Sequence, residues 1–160
     1  MHTGTKPKKK AAKAILYFAY GSNLDAEQMA DRCPAAQAFG AARLPDRRLV
    51  FAGYSTSWDG AVATFTEHPG AHLEGLLYRL TPADVAALDY FEGHPYVYER
   101  IPCTVLDSRG RRRRALTYWM PPHSLGVSPS PEYFGVIAEA YAKFGFDPQP
   151  LVAAANARVL

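Results

Sequence analysis

The side chain best suited to chemistry in this sequence is the carboxyl group of Glu92, at the end of the segment TPADVAALDYFEG. Val85, Leu88 and Glu92 stand at positions i, i+3 and i+7, so they share one face of the helix that this segment predicts. A carboxylate on an inward face is costly unless it is paired, protonated or used, and no Arg or Lys follows it until Arg100. The pattern therefore predicts a buried and chemically unusual glutamate.

Two effects should raise the pKa of Glu92 toward neutrality. Burial disfavours the charged carboxylate, and the negative end of the helix acts in the same direction. A glutamate that titrates near neutral pH is suited to general acid and base catalysis. The alternative is that the last turn frays and carries Glu92 into solvent.

The second candidate is the stretch YFAYGSNL at residues 17–24, where a short apolar run meets Gly, Ser and Asn. Gly21 can adopt backbone conformations closed to other residues, and Ser22 or Asn23 can cap a following helix. Backbone N–H groups left free there would attract a carboxylate or phosphate. A plain turn with Asn23 as the cap is the alternative. The stretch lacks the spacing of GxGxxG or GxxxxGK[ST] loops, which disfavours nucleotide binding.

Other reactive side chains form weaker patterns. The histidines have no ligand spacing, so no metal is assigned. Cys33 and Cys103 are expected to be reduced and partly buried. Because neither Cys33 nor Ser22 has a visible base beside it, a hydrolase using one of them as nucleophile is a rival hypothesis only.

Charge is distributed unevenly along the 160 residues. The formal net charge is +3, but five lysines lie within residues 1–14, and without them the net charge is −2. The folded part is therefore not basic, which argues against a nucleic-acid partner. Residues 1–14 are expected to form a disordered lysine-rich tail, and the run RGRRRRA an exposed hairpin end.

The remaining sequence, residues 15–160, has the length and apolar content of a single domain. Strands are predicted at residues 15–19, 49–54, 61–66, 72–80, 98–106 and 111–120. Helices are predicted at residues 24–32, 82–92 and 131–144, the last two beginning with Thr-Pro and Ser-Pro caps and ending at glycines. Strands interspersed with helices indicate an α+β domain with a mixed sheet, and this pattern leaves the closure of the sheet into a barrel open. No segment has the length to span a membrane or the character of a secretory signal, so a cytoplasmic protein without a membrane partner is expected.

Five segments together resemble a known family. YFAYGSNL, GAVATF, LEGLLYRLTPADVAALDYFEG, YVYERIPCTV and SPSPEYFGVIAEAYAKFG are similar, in order and spacing, to the γ-glutamylcyclotransferase family of the AIG2-like superfamily. The resemblance covers residues 15–155. It implies a small mixed parallel and antiparallel β-barrel with flanking helices. It also implies an enzyme that converts a γ-glutamyl amino acid or amine to 5-oxoproline and a free amine, without metal or cofactor.

The resemblance also implies roles for particular residues. Glu92 corresponds to the family's acid and base, while Tyr133 in SPEY and Tyr98 in EGHPYVY correspond to tyrosines of the substrate cavity. The substrate loop corresponds to Tyr17, Phe18, Ala19, Tyr20, Gly21, Ser22, Asn23 and Leu24. A non-catalytic module that binds a small metabolite is the alternative within the superfamily. The amine half of the substrate is left open, as is the choice between monomer and homodimer.

Overall fold

A computed structural model describes residues 14–157 and residue 4. The disordered tail predicted for residues 1–14 therefore falls, apart from residues 4 and 14, outside the described residues. None of the helices found in the described residues is long and apolar enough to cross a membrane.

Five strands close into a barrel in the order β1, β3, β2, β4, β5. The strands are β1 (Ile15–Ala19), β2 (Gln37–Ser55), β3 (Gly60–Leu80), β4 (Glu99–Asp107) and β5 (Arg112–Trp119). Strand β1 runs parallel to β5, and the other neighbouring strands are antiparallel. The prediction of an α+β domain with a closed mixed sheet is confirmed.

Within residues 14–157, four α-helices flank the barrel: α1 (Ala26–Arg32), α2 (Pro82–Glu92), α3 (Pro131–Phe144) and α4 (Gln149–Asn156). Helices α2 and α3 have the predicted bounds because their ends are set locally. The side chains of Thr81 and Ser130 accept hydrogen bonds from the first turn, and Gly93 and Gly145 end the helices with positive φ angles of 67° and 72°. Helix α4 was not predicted.

The start of α1 differs from the prediction. Residues Ser22–Leu24 form a short 3-10 turn, and the helix begins only at Ala26. Its cap is Asp25, whose side chain accepts a hydrogen bond from the backbone N–H of Gln28 at 3.2 Å. The prediction that Ser22 or Asn23 caps this helix is therefore wrong, and the side chain of Asn23 is free for another role.

The hairpin of β2 and β3 is longer than predicted. The segments at residues 61–66 and 72–80 belong to one strand of 21 residues, and the segment at 49–54 is the end of a strand of 19. The apolar pattern of the sequence breaks between residues 66 and 72 because residues 67–70 are exposed. Three register shifts also interrupt the pairing of β2 with β3. Strands β4 and β5 match their predicted bounds within one residue, and the arginine run lies at their exposed hairpin.

Strands β1 and β3 approach so closely that Gly75 is required. A Cβ atom built at this position would lie 2.4 Å from the carbonyl oxygen of Ala19 and 2.5 Å from the ring of Phe18. This approach fixes the end of β1, from which the YGSN stretch continues into the barrel mouth.

Candidate active site

A cavity of about 360 Å³ opens at one end of the barrel. Its walls come from the end of β1 and the 3-10 turn, the turn between β2 and β3, the end of α2, and residues of β5 and α3. The only titratable side chains in the described wall are one carboxylate, one guanidinium and seven tyrosines: Glu92, Arg32, Tyr17, Tyr20, Tyr54, Tyr90, Tyr98, Tyr118 and Tyr133. The volume is in the range of small-molecule sites.

The carboxyl group of Glu92 lies in this cavity, and its side chain is only 16% exposed. The predicted inward orientation is therefore observed, and Leu88 on the same face is fully buried. Burial raises the pKa of Glu92 from 4.5 to about 7, although the neighbouring Arg32 and Asn23 oppose the shift. A carboxyl group with this pKa can both accept and donate a proton near neutral pH.

Asn23 connects the YGSN stretch to the acid. Its side chain, in a residue that is 3% exposed, donates from Nδ2 to the hydroxyl oxygen of Tyr17 at 2.9 Å and to Oε1 of Glu92 at 3.2 Å. Its Oδ1 accepts from Gln28 Nε2 at 3.0 Å and from Arg32 Nη1 at 3.2 Å. These four hydrogen bonds hold the amide in one orientation, with its donor facing the carboxylate.

Two tyrosines are fixed by the backbone of one residue of β3, Ala63. The hydroxyl of Tyr98 donates to the carbonyl oxygen of Ala63 at 2.6 Å, and the backbone N–H of Ala63 donates to the hydroxyl oxygen of Tyr133 at 2.8 Å. Burial raises the pKa of both phenols, so both stay protonated at neutral pH. The Tyr133 hydroxyl keeps its own proton available toward the cavity.

The opposite wall is held by Tyr118 and Asp89. The Tyr20 hydroxyl donates to the carbonyl oxygen of Tyr118 at 2.5 Å, and the Tyr118 hydroxyl donates to Asp89 Oδ1 at 2.7 Å. Asp89 also pairs with Arg100. Because Asp89 precedes Glu92 by one helical turn, this network anchors the end of α2 against β5.

The eight predicted loop residues do not all face the cavity. Tyr17, Tyr20, Gly21, Ser22 and Asn23 line it, together with the predicted Tyr98 and Tyr133. The other three, Phe18, Ala19 and Leu24, are buried in the core and are absent from the wall. Their side chains support the loop from behind.

Gly21 lies in the wall of the cavity, packed against Ala63 and Tyr133. A Cβ atom there would lie 3.4 Å from Ala63 Cβ and 3.5 Å from the Tyr133 hydroxyl oxygen. Within residues 14–157, none of the turn and loop hydrogen bonds is donated by the backbone N–H groups of Gly21, Ser22 or Asn23. These groups can therefore serve a ligand.

The rival nucleophiles have poor surroundings. Cys33 is buried outside the cavity wall, its thiol donates to the carbonyl oxygen of Asp84 at 3.5 Å, and burial raises its pKa to about 11. Ser22 Oγ lies in the wall, but its partner is the amide of Gln28 at 2.8 Å rather than a base. Neither side chain is activated as a nucleophile.

Sequence reasoning missed Arg32, Gln28, Tyr118 and the backbone of Ala63. The nearest approach of Arg32 to the acid joins residues 60 positions apart, and no local pattern signals such a contact. The SPEY motif identified Tyr133 but not the β3 peptide that it binds.

Comparison with known proteins identifies the family of this chain. The protein family described as "Gamma-glutamyl cyclotransferase, AIG2-like" matches residues 17–134, which include the YGSN stretch, Glu92, Tyr98 and Tyr133. The chain belongs to this family. The predicted family membership is thereby confirmed.

Individual relatives agree with the family assignment. The γ-glutamylcyclotransferase of Bos taurus is 35% identical over 130 residues, which span 78% of this chain and 69% of the bovine protein. The human γ-glutamylcyclotransferase is 33% identical over the same share of each chain. A solved structure titled "Gamma-glutamyl cyclotransferase" superposes with a TM-score of 0.80 at 28% identity and covers 92% of this chain and 90% of that one. The cyclotransferase fold therefore extends over nearly all of the chain.

Proposed function

We propose that this protein is a γ-glutamylcyclotransferase that converts a γ-glutamyl amino acid or γ-glutamyl amine to 5-oxoproline and the free amine. The observation that carries the proposal is Glu92, the one carboxyl group in the described wall, held beside Asn23 in a tyrosine-lined cavity. Family membership and the relatives of that name support the reaction class.

The reaction needs no protein nucleophile. The α-amine of the substrate attacks its own γ-carbonyl carbon, a carbon–nitrogen bond closes the five-membered ring, and the bond to the departing nitrogen breaks. The main task of the enzyme is to hold the substrate in the bent conformer, because an intramolecular attack gains its rate from proximity and orientation. The rigid tyrosine wall, with Tyr98 and Tyr133 fixed on Ala63, suits that task.

Glu92 carries the protons. As the carboxylate it takes a proton from the substrate ammonium and leaves a nucleophilic amine; as the acid it returns that proton to the departing nitrogen. The attacking nitrogen loses its second proton after the ring bond has formed; Glu92, again a carboxylate, takes this proton and passes it to the released amine, which departs as its ammonium form. A pKa of about 7 populates both forms of Glu92 at neutral pH.

Backbone N–H groups at Gly21, Ser22 and Asn23 supply a site for negative charge. These three residues line the cavity, and their N–H groups donate none of the turn and loop hydrogen bonds of residues 14–157. Either the substrate α-carboxylate or the oxyanion of the tetrahedral intermediate would be stabilised there. The three remaining residues of the predicted substrate loop, Phe18, Ala19 and Leu24, pack in the core and support the loop from there.

The test replaces the carboxyl group of Glu92 with an amide group of nearly the same shape. Glu92→Gln should keep the native fold and lower kcat by about 10²–10⁴-fold, the range for loss of a general acid and base. Glu139→Gln, on the exposed face of α3, is the matched control and should keep native kcat. Turnover by Glu92→Gln comparable to the native rate would refute the role of Glu92.

Product analysis separates the cyclotransferase from its rivals. Purified protein is incubated with γ-glutamyl-alanine and with γ-glutamyl amines, and the products are identified by mass spectrometry. Formation of 5-oxoproline supports the proposal, free glutamate would indicate hydrolysis, and intact bound ligand would indicate a binding module. A cytoplasmic location and the absence of a nucleic-acid partner stay predictions.

A further inference from the structure

Arg32 is the only cationic side chain in the described wall of the cavity. It lies in the last turn of α1, and its side chain is 19% exposed. Its Nη1 donates to Asn23 Oδ1 at 3.2 Å and lies 3.6 Å from Glu92 Oε1. The guanidinium also stacks 4.9 Å above the centroid of the Phe91 ring. Three neighbours therefore hold this charge in place beside the carboxylate.

The three groups Arg32, Asn23 and Glu92 form a closed arrangement. The side-chain oxygen of Asn23 accepts a hydrogen bond from Arg32, and its side-chain nitrogen donates one to Glu92 Oε1. Arg32 also lies directly beside Glu92 Oε1. A buried carboxylate in such a setting has one hydrogen bond and one opposite charge to offset the loss of water. Without the arginine, the amide alone would stabilise the ionised form.

We propose that Arg32 is a positioning residue that stabilises the ionised form of Glu92 and holds it aimed into the cavity before substrate binds, and so sets the pH above which the enzyme turns over. The inference rests on the proposed function, because it assigns to Glu92 the role of a base.

In the part of the wall that the structure describes, Arg32 is the only charged neighbour of Glu92. The side chains that face Glu92 from the neighbouring elements are tyrosines: Tyr17 within β1, Tyr20 just after β1, Tyr98 before β4, Tyr118 on β5 and Tyr133 on α3. Their pKa values are all raised by burial, so they stay neutral where Glu92 titrates. On α2 itself, Asp89 is occupied by Arg100 and Tyr118.

The expected effect follows from the distance. An opposite charge within 4–6 Å lowers a carboxyl pKa by about 1–3 pH units. Loss of the guanidinium should therefore raise the titration midpoint of Glu92 by about one pH unit or more. From a native midpoint of about 7, the ionised fraction at pH 7 would fall about fivefold, and raising the pH would restore it.

The experiment compares Arg32→Met, Arg32→Lys and the control Arg47→Met. Met keeps an apolar stem over Phe91 but removes the charge, and Lys retains a charge; Arg47 is paired with Glu67 on the outside of the barrel. The titration of Glu92 is followed in the ligand-free proteins by ¹³C NMR of the side-chain carboxyl carbon, assigned by its loss in Glu92→Gln. The pH profile of kcat/KM is measured in parallel on γ-glutamyl-alanine.

The proposal expects the carboxyl midpoint and the acid limb of kcat/KM to move upward together in Arg32→Met, with rescue of the rate at high pH. Arg32→Lys should stay near the native midpoint, and Arg47→Met should be unchanged. An unchanged midpoint in Arg32→Met, with KM raised at every pH, would overturn the proposal and make Arg32 a ligand for the substrate carboxylate. If Arg32→Met does not fold, Arg32→Gln replaces it in both measurements.

The NMR titration keeps this inference separable from the proposed function. A midpoint that moves in a protein forming no 5-oxoproline would support the coupling of Arg32 to Glu92 and refute the cyclotransferase role. If the native protein forms 5-oxoproline and the midpoint does not move in Arg32→Met, the cyclotransferase role is supported and the coupling of Arg32 to Glu92 is refuted.

Discussion

The raised pKa of Glu92 should make the native protein lose stability as the pH rises, and Glu92→Gln should remove this loss. In the folded state Glu92 has a pKa of about 7, against an ordinary value of 4.5. The folded state therefore holds the proton more tightly than the unfolded state does. The contribution of this proton to stability is fully present below pH 4.5 and is lost as the pH rises to 7.

The size of the effect follows from the two pKa values. Each pH unit between 4.5 and about 7 is worth about 1.4 kcal/mol, so ionisation of Glu92 costs the folded state about 3 kcal/mol by pH 8. This is a substantial part of the total stability of a typical domain, about 5–15 kcal/mol. Because the amide in Glu92→Gln stays neutral, the variant should gain about 3 kcal/mol relative to the native protein between pH 4 and pH 8.

Urea denaturation at a series of pH values measures this difference directly. The free energy of unfolding is determined for the native protein, for Glu92→Gln and for Glu139→Gln, and the difference from native is plotted against pH. For Glu92→Gln the curve should rise with a midpoint between the two pKa values, whereas for the exposed Glu139 it should stay flat. A flat curve for Glu92→Gln would mean that the acid is not buried in solution, and the reasoning on its catalytic role would fail with it.

Two further substitutions test the supports of the cavity. Tyr133→Phe removes the acceptor of the buried Ala63 N–H and should lower the free energy of unfolding by about 1–3 kcal/mol in urea denaturation, with Tyr90→Phe, 82% exposed, as the unaffected control. Gly75→Ala places a Cβ atom 2.4 Å from the Ala19 carbonyl oxygen, so it should separate β1 from β3 and lower both Tm and turnover. Gly135→Ala, where a Cβ atom meets nothing within 4 Å, should instead raise Tm slightly. Native-like Tm and turnover in Gly75→Ala would contradict the tight approach.

The parts of the fold that were predicted correctly are those fixed by neighbours along the chain. Helix α2 depends on Thr81, Asp84 and Gly93, all within the helix or at its ends, and its bounds were predicted without error. The inward orientation of Glu92 follows from the same local pattern. The cap of α1 was mistaken because Asn23 and Asp25 are both good capping residues, and the contacts of Asn23 with Tyr17 and Glu92 decide between them.

The errors concern contacts between distant segments. The long strands β2 and β3 pair through register shifts and exposed polar residues, so neither has the alternation that marks a half-buried strand. The site shows the same limit. Arg32 approaches Glu92 only because α1 and α2 pack at one end of the barrel, and the backbone of Ala63 meets Tyr98 and Tyr133 only after the barrel closes.

The site balances two opposing demands on one carboxyl group. Proton transfer at neutral pH needs a raised pKa, which burial supplies at a cost to stability. Attack on the carbonyl needs the ionised form, which burial disfavours and which Arg32 and Asn23 restore in part. Without the arginine, Glu92 would be mostly protonated at neutral pH. If the cavity were open to water, the pKa of Glu92 would fall toward its ordinary value, and the carboxylate would be too weak a base. The placement of α1 beside the end of α2 resolves this conflict, because it brings the guanidinium of Arg32 to 3.6 Å from Glu92 Oε1 in a cavity whose other described titratable groups are neutral tyrosines.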